Sequence, residues 1–391
     1  MTTASLSLDA FRDRFPILKH RVYVNNCSQG ALSEDVEAAF AAYLTSWRER
    51  GSPWDAWVDT VEQLRRQFAA AIGADADEVA IMPSASAAIS SLATALTFEP
   101  PRRAVVMGDL EFPTMAHVWL AQRRRGAVVR WVRAVDGALR PEAYAEAVCE
   151  DTVIVPVTHV CFKNGFRTDV AGVTKVCHDR GAYVLLDDYQ RTGSAPIDVH
   201  ALGVDFMVTG CLKYMLGPAG LAFLYVRRDL IERLEPLVTG WFGRVNPFAF
   251  SVDQFDWAAS AARFESGTPE VPNAYGALAG LKLLDRVGFD TVERQIAHLV
   301  ERFASAARRE GFVVRTPADP ARRGPLVVLQ SRDAATLTAR LIERGVIGSS
   351  RGDAMRVSFH AYNNDQDVEA VMDALRAEEA LLTRVDARVQ A

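Results

Sequence analysis

Seven short runs, apolar at nearly every position, recur through the middle of the chain at intervals of about 10–20 residues: EVAIM (78–82), RAVVMG (103–108), AVVRWV (127–132), TVIVPVTH (152–159), AYVLLDD (182–188), DFMVTG (205–210) and LAFLYV (221–226). A strand that alternates apolar and polar residues can leave one face in water; a strand apolar throughout must be covered on both. Helical stretches at 55–73, 85–97, 113–124, 141–149 and 169–180 supply the cover. The pattern implies βαβ units and an α/β fold around a mostly parallel seven-stranded sheet. After residue 226 the rhythm changes. Helices are expected at 275–288 and 290–310, strands at FVVRT (312–316), LVVLQ (326–330) and MRVSFH (355–360), and a last helix at 365–383. The expected organisation is an N-terminal arm (1–25), a large domain (26–260) and a small α+β C-terminal domain (261–391).

The chain has 391 residues, 49% of them hydrophobic, enough for cores of this size. A net charge of −5 argues against a nucleic-acid surface, and the patch AQRRRG (121–126) reads as a solvated helix end. No run of eighteen apolar residues is present, so no membrane partner is expected and a cytoplasmic location is. Cys27, Cys149, Cys161, Cys177 and Cys211 lack CxxC spacing, which predicts reduced thiols and no metal site.

Ligands of open α/β sheets bind beyond the carboxyl ends of strands. Ser84, Ser86, Phe112, His159, Asp187 and Lys213 all fall there. Lys213 stands among small and apolar residues in TGCLKYMLGPAG (209–220), although lysine is seldom buried alone. Asp187 precedes it by 26 residues, room for a connection to a neighbouring strand. A buried lysine of lowered pKa is a good nucleophile toward an aldehyde, and a carboxylate facing a pyridine nitrogen keeps it protonated. That pairing is the layout of a pyridoxal phosphate site. Spacing alone favours the plainer alternative, an ion pair at strand ends.

The ordered series D-x-x-Q, I-D-V-x-x-L-G-x-D and K-x-x-L-G-P-x-G within residues 185–230 resembles the class V aminotransferase group of fold-type I pyridoxal phosphate enzymes, over about residues 20–375. The resemblance implies a large and a small domain, pyridoxal 5′-phosphate as cofactor, and a homodimer with shared active sites. It places Lys213 at the Schiff-base lysine, Asp187 at the pyridinium partner and Gln190 at the ring oxygen. PSASAAIS (83–90) resembles the phosphate-cradling segment, with the Ser86 hydroxyl and the backbones of Ser84 and Ala85 as donors. EFPTMAHVW (111–119) is similar to the kynureninase-type FPT and implies Phe112 stacked on the ring; FESGTPEVPN (264–273) implies Thr268 reaching the partner subunit's phosphate. MRVSFHAYNN (355–364) implies Arg356 as a fork for the substrate α-carboxylate. Asn26, in VNNCSQG (24–30), and His159 are substrate-side candidates, and Thr209 is a candidate phosphate contact.

Departures from the family pattern bear on the reaction. The stretch VIGSSRGDAMRVS (346–358) lacks the reactive cysteine of desulfurases, Leu212 replaces the common histidine before the lysine, and Gly210 and Cys211 replace residues that include a phosphate-binding serine. The resemblance then implies an amino-acid lyase, with β-elimination at the C–S bond of an S-substituted cysteine or its sulfoxide as the favoured outcome. The alternatives are kynureninase-like C–C cleavage, epimerisation, transamination or decarboxylative oxidative deamination. A non-catalytic binding protein is a further alternative, and a nicotinamide enzyme is a poor fit because no G-x-G-x-x-G follows an early strand.

Overall fold

A computed structural model describes residues 5–385. Its strands are β1 (Val22–Tyr23), β2 (Val79–Met82), β3 (Ala104–Gly108), β4 (Val128–Val132), β5 (Thr152–Thr158), β6 (Tyr183–Asp187), β7 (Phe206–Gly210), β8 (Ala222–Val226), β9 (Leu326–Gln330), β10 (Val346–Ile347), β11 (Ser349–Arg351) and β12 (Ala354–Ser358). The main sheet has seven strands in the order β2-β8-β7-β6-β5-β3-β4. Only β8 runs against its neighbours, β2 and β7. All seven apolar runs are strands, each within one residue of the expected ends.

Both faces of the sheet are covered, and alternation sorts the side chains between them. Leu185, Phe206, Val208 and Leu224 point to one face and pack on Ile89 and Leu92 of the Ala85–Ala95 helix. Leu186, Met207 and Phe223 point to the other, where Phe68 stacks on Phe223 with centroids 3.8 Å apart. Each side chain so sealed contributes about 1.5–3 kcal/mol of hydrophobic burial.

A second sheet, β11-β12-β9, is antiparallel throughout. The expected strand at 312–316 is not continuous. Its Arg315 N–H donates to the Val328 carbonyl at 2.8 Å, but Val328 N–H goes to the Thr316 hydroxyl at 2.9 Å, so a side chain interrupts the ladder. The last helix ends at Ala377 rather than 383, and helices Glu34–Arg50 and Ala334–Glu343 were not anticipated. The first of these carries an apolar stripe of Val36, Phe40, Tyr43, Leu44 and Trp47, of which the fold buries only Val36. Near the N-terminus, β1 pairs in parallel with β10, and Asn25 bridges to Ser358 beside β12. The loop that follows passes Gly30 against the turn of Lys213: a Cβ at Gly30 would lie 2.5 Å from the Lys213 carbonyl oxygen. Only a glycine lets the two backbones approach that closely.

Candidate active site

A cavity of about 310 Å³ opens at the carboxyl ends of β5 and β6, beside the turn after β7. One wall is the start of the Ala85–Ala95 helix. Ser84 caps it, its hydroxyl accepting from Ala87 N–H at 3.1 Å, and Ala85 and Ser86 face the cavity with it. Three small residues leave the first-turn N–H groups open to an anion. The Ser86 hydroxyl lies 3.3 Å from that of Thr114, which also lines the cavity. Pro113 starts the next helix, and Phe112, immediately before it, presents its ring to the cavity with Phe162 packed edge-on at 5.2 Å.

Asp187 ends β6, and its Oδ1 accepts from Tyr189 N–H at 3.0 Å. Burial pushes its carboxyl up to about 6. Burial pushes the Lys213 ammonium down to about 8, against the opposing attraction of Asp187. Among the described residues no carboxylate stands within ion-pair distance of Lys213 Nζ, so the simple ion pair that spacing favoured is not formed. The amine instead lies 4.3 Å from the Tyr189 ring centroid and 6.0 Å from that of Phe112. An amine so placed is neutral often enough to attack a carbonyl.

Arg356 enters from β12, its residue only 2% exposed. Its Nη2 donates to the Ser349 hydroxyl at 3.0 Å and Nη1 to the Phe162 carbonyl at 3.5 Å, while Nε has no partner. Among the described residues no carboxylate pairs with this buried guanidinium, whose planar donors suit an anion. Gln190 lines the same cavity. Its Nε2 donates to the Cys27 carbonyl at 3.0 Å and its buried Oε1 has no partner.

Three expectations need correction. Thr209 pairs with Phe223 and is fully buried on the far face of the sheet, so its hydroxyl does not reach the cavity. His159 also turns away: Thr158 and Val160 line the cavity, while the imidazole between them bonds Asp188 and faces a separate cleft of about 670 Å³. That larger cleft contains neither Lys213 nor Asp187. Asn26 is buried beside the site, its amide donating to the Ser358 carbonyl at 2.9 Å and its oxygen accepting from Tyr362; the adjoining Cys27 and Ser28 line the cavity instead. Thr268 is exposed and lies outside the cavity of its own chain.

Sequence reasoning missed Tyr189, Thr114 and Arg351 at the cavity, and Glu111 behind it. Glu111 is buried, accepts from Thr158 N–H at 2.8 Å, and is pushed up to about 8 by burial and by Asp187. An acidic residue just before the FPT, flanked by apolar strand ends, was the available signal.

The family model described as aminotransferase class-V matches residues 48–371. The chain belongs to the class-V aminotransferase family. It is 32% identical over 369 residues to the uncharacterized aminotransferase YcbU of Bacillus subtilis (strain 168), covering 94% of this chain and 97% of that protein. It is 27% identical over 366 residues to kynureninase of Pseudomonas fluorescens, covering 88% and 85%. Among solved structures, the cystine C-S lyase C-DES superposes with a TM-score of 0.86 at 22% identity, over 93% of this chain and 98% of that one, in a mutant with glycine linked to its PLP cofactor. The fold is that of fold-type I enzymes. Family membership carries a cofactor, pyridoxal 5′-phosphate. The residues of this class-V chain fit it: a lysine of lowered pKa, a buried carboxylate, an unpartnered glutamine oxygen and an open helix start converge on one cavity. No helix among the described residues is long and apolar enough to cross a membrane.

Proposed function

We propose that this class-V enzyme is a lyase that removes the β-substituent of an S-substituted cysteine or its sulfoxide, releasing a thiol or sulfenic acid with pyruvate and ammonia. The observation that supports an amino-acid substrate best is the pairing of Arg356, buried and without a carboxylate, with Lys213 in one cavity. In this reading Ser84, Ala85 and Ser86 hold the cofactor phosphate, Phe112 covers the ring, Gln190 meets the ring oxygen and Asp187 the ring nitrogen. When bound, the cofactor acts as an electron sink for the bond broken at Cα.

The chain's own residues do the rest. Arg356 receives the α-carboxylate in a planar fork and so fixes which Cα bond faces Lys213. Lys213 then takes the Cα proton on Nζ, a task suited to an amine whose pKa lies near 8. Asp187 would face the ring nitrogen as a carboxylate and so keep that sink effective. Phe112, Phe162 and Val160 make the wall where the substituent leaves apolar, which favours a thioether over a charged group. Cys27 lines the cavity, but no cysteine stands in residues 346–358, where the desulfurase pattern has its reactive one; this favours elimination over sulfur transfer to the protein.

The Phe112–Phe162 pair also favours a second reading, kynureninase-like cleavage of an aryl side chain, in line with the kynureninase relatives. The enzyme works as a homodimer in this proposal. Leu237 and Phe250, more than 70% exposed, lie in a segment rich in exposed apolar residues, and Thr268, outside its own cavity, is free to reach a partner's phosphate. We place it in the cytoplasm. Product analysis tests the reading: S-alkyl and S-aryl cysteines should give pyruvate and ammonia in equal amounts. Alanine with anthranilate from kynurenine, and no turnover of cysteine conjugates, would replace it with the second reading.

A further inference from the structure

Tyr189 lines the cavity and has no task assigned above. It follows β6 by two residues, and its ring lies beneath Lys213 Nζ at 4.3 Å. Its hydroxyl reaches across to Gly210, the last residue of β7. A Cβ built on Gly210 would sit 2.0 Å from the Tyr189 oxygen and 2.3 Å from its Cζ. No residue but glycine is compatible with that contact. The phenol therefore occupies the space a side chain at 210 would fill.

The face on which this happens matters. Position 210 shares its parity with Phe206 and Val208, which pack against the Ala85–Ala95 helix. The hydroxyl is thus on the side of the sheet that carries Ser84, Ala85 and Ser86, and Tyr189 lines the same cavity as those three. It has no hydrogen-bond partner among the described residues. Burial pushes its ionisation well above the ordinary range, so it stays a neutral O–H donor. Thr209, the hydroxyl next in sequence to Gly210, faces the opposite side and is unavailable.

We infer that Tyr189 is a positioning residue whose hydroxyl donates to the cofactor phosphate, taking the place of a hydroxyl-bearing side chain at position 210. This rests on the reading that the phosphate lies at the start of the Ala85–Ala95 helix. Two features single the residue out: its hydroxyl-bearing ring lines the cavity that the helix start also lines, and it is exclusive with any side chain at 210.

The test measures dissociation constants of the apo-protein for pyridoxal 5′-phosphate and for pyridoxal, by absorbance and quenching titrations. Tyr189→Phe keeps the ring and removes only the hydroxyl. It should weaken binding of the phosphate ester roughly tenfold or more, the scale of one hydrogen bond to a charged group, and leave pyridoxal unchanged. Gly210→Ser should weaken the phosphate ester through its collision with the phenol, and Tyr189→Ala combined with Gly210→Ser should bind it more tightly than either single variant. Equal weakening of both ligands in Tyr189→Phe, or no weakening, overturns the assignment. If the wild-type chain binds pyridoxal as tightly as its phosphate ester, the phosphate site itself is misplaced and the assignment falls with it.

Discussion

Replacing Asp187 with Asn should make Lys213 a faster nucleophile while making the enzyme a worse catalyst. Lys213 sits at about 8, against 10.5 for an unperturbed lysine, because burial outweighs the pull of Asp187. At pH 7 that leaves about 10% of it as free amine where an exposed lysine has ~0.03%, a gain of roughly 300-fold in reactive form. Asp187 titrates near 6, so between pH 6 and 8 it is ionised and opposes the depression. Removing that charge leaves desolvation unopposed. A neighbouring opposite charge is worth about one to three pKa units, so the lysine midpoint should fall to about 7 or lower, with about half of it neutral at pH 7. The assay is stopped-flow absorbance of apo-protein mixed with pyridoxal phosphate across pH 5.5–10. The wild-type capture rate should rise with a midpoint near 8, and in Asp187→Asn the midpoint should move down and the pH 7 rate rise about fivefold. Turnover should fall by ~100-fold or more, since the ring nitrogen loses its partner. A wild-type midpoint near 10, or an upward move in the variant, would refute the claim that burial sets the reactivity of this lysine.

Three further outcomes are expected. Arg356→Lys should raise KM for α-carboxylate substrates by about ten- to a hundredfold with a smaller effect on kcat, since lysine lacks the paired donors; steady-state kinetics would show it. Glu111→Gln removes a carboxyl whose folded pKa is raised to about 8. The stability it contributes is full below about 4.5 and is lost as pH rises through 8, so the variant should gain on the wild type across that window, by at most ~1.4 kcal/mol per pH unit in denaturant titrations. Glu265→Ala strips the partner 2.6 Å from buried Arg65 and the acceptor of Ile81 N–H at 2.8 Å, and should cost about 3 kcal/mol by the same measurement.

The strands of the main sheet were legible because continuous apolar runs have few other uses. The same property hid the facing of the side chains that end them. In a strand buried on both sides, hydrophobicity does not mark which parity meets which face, so Thr158 and His159, or Thr209 and Gly210, cannot be told apart from composition. His159 and Thr209 have the polar chemistry of cavity residues, yet both turn the other way. Tyr189 was missed for a related reason: its meaning depends on Gly210, 21 positions later, which a linear reading sees only as a missing serine. Asn26 was misjudged by one residue, since its polar side chain serves the backbone of Ser358 while Cys27 and Ser28 face inward. The helix 34–50 was legible in principle, since Val36, Phe40, Tyr43, Leu44 and Trp47 recur at helical spacing.

The stitching of residues 22–28 to β12 has a mechanical outcome. Ser358 receives Cys27 N–H on its hydroxyl at 2.8 Å and sends its own N–H to the Val24 carbonyl at 2.9 Å, two residues along β12 from Arg356. Residues 22–30 thus join the arginine's strand to the lysine's turn, for the Cys27 carbonyl also accepts from Gln190 Nε2 at 3.0 Å and Gly30 N–H donates to the Leu212 carbonyl at 2.7 Å. Loss of that loop would loosen the footing of Arg356 and the seat of Gln190 together, so its integrity is felt at both walls of the cavity.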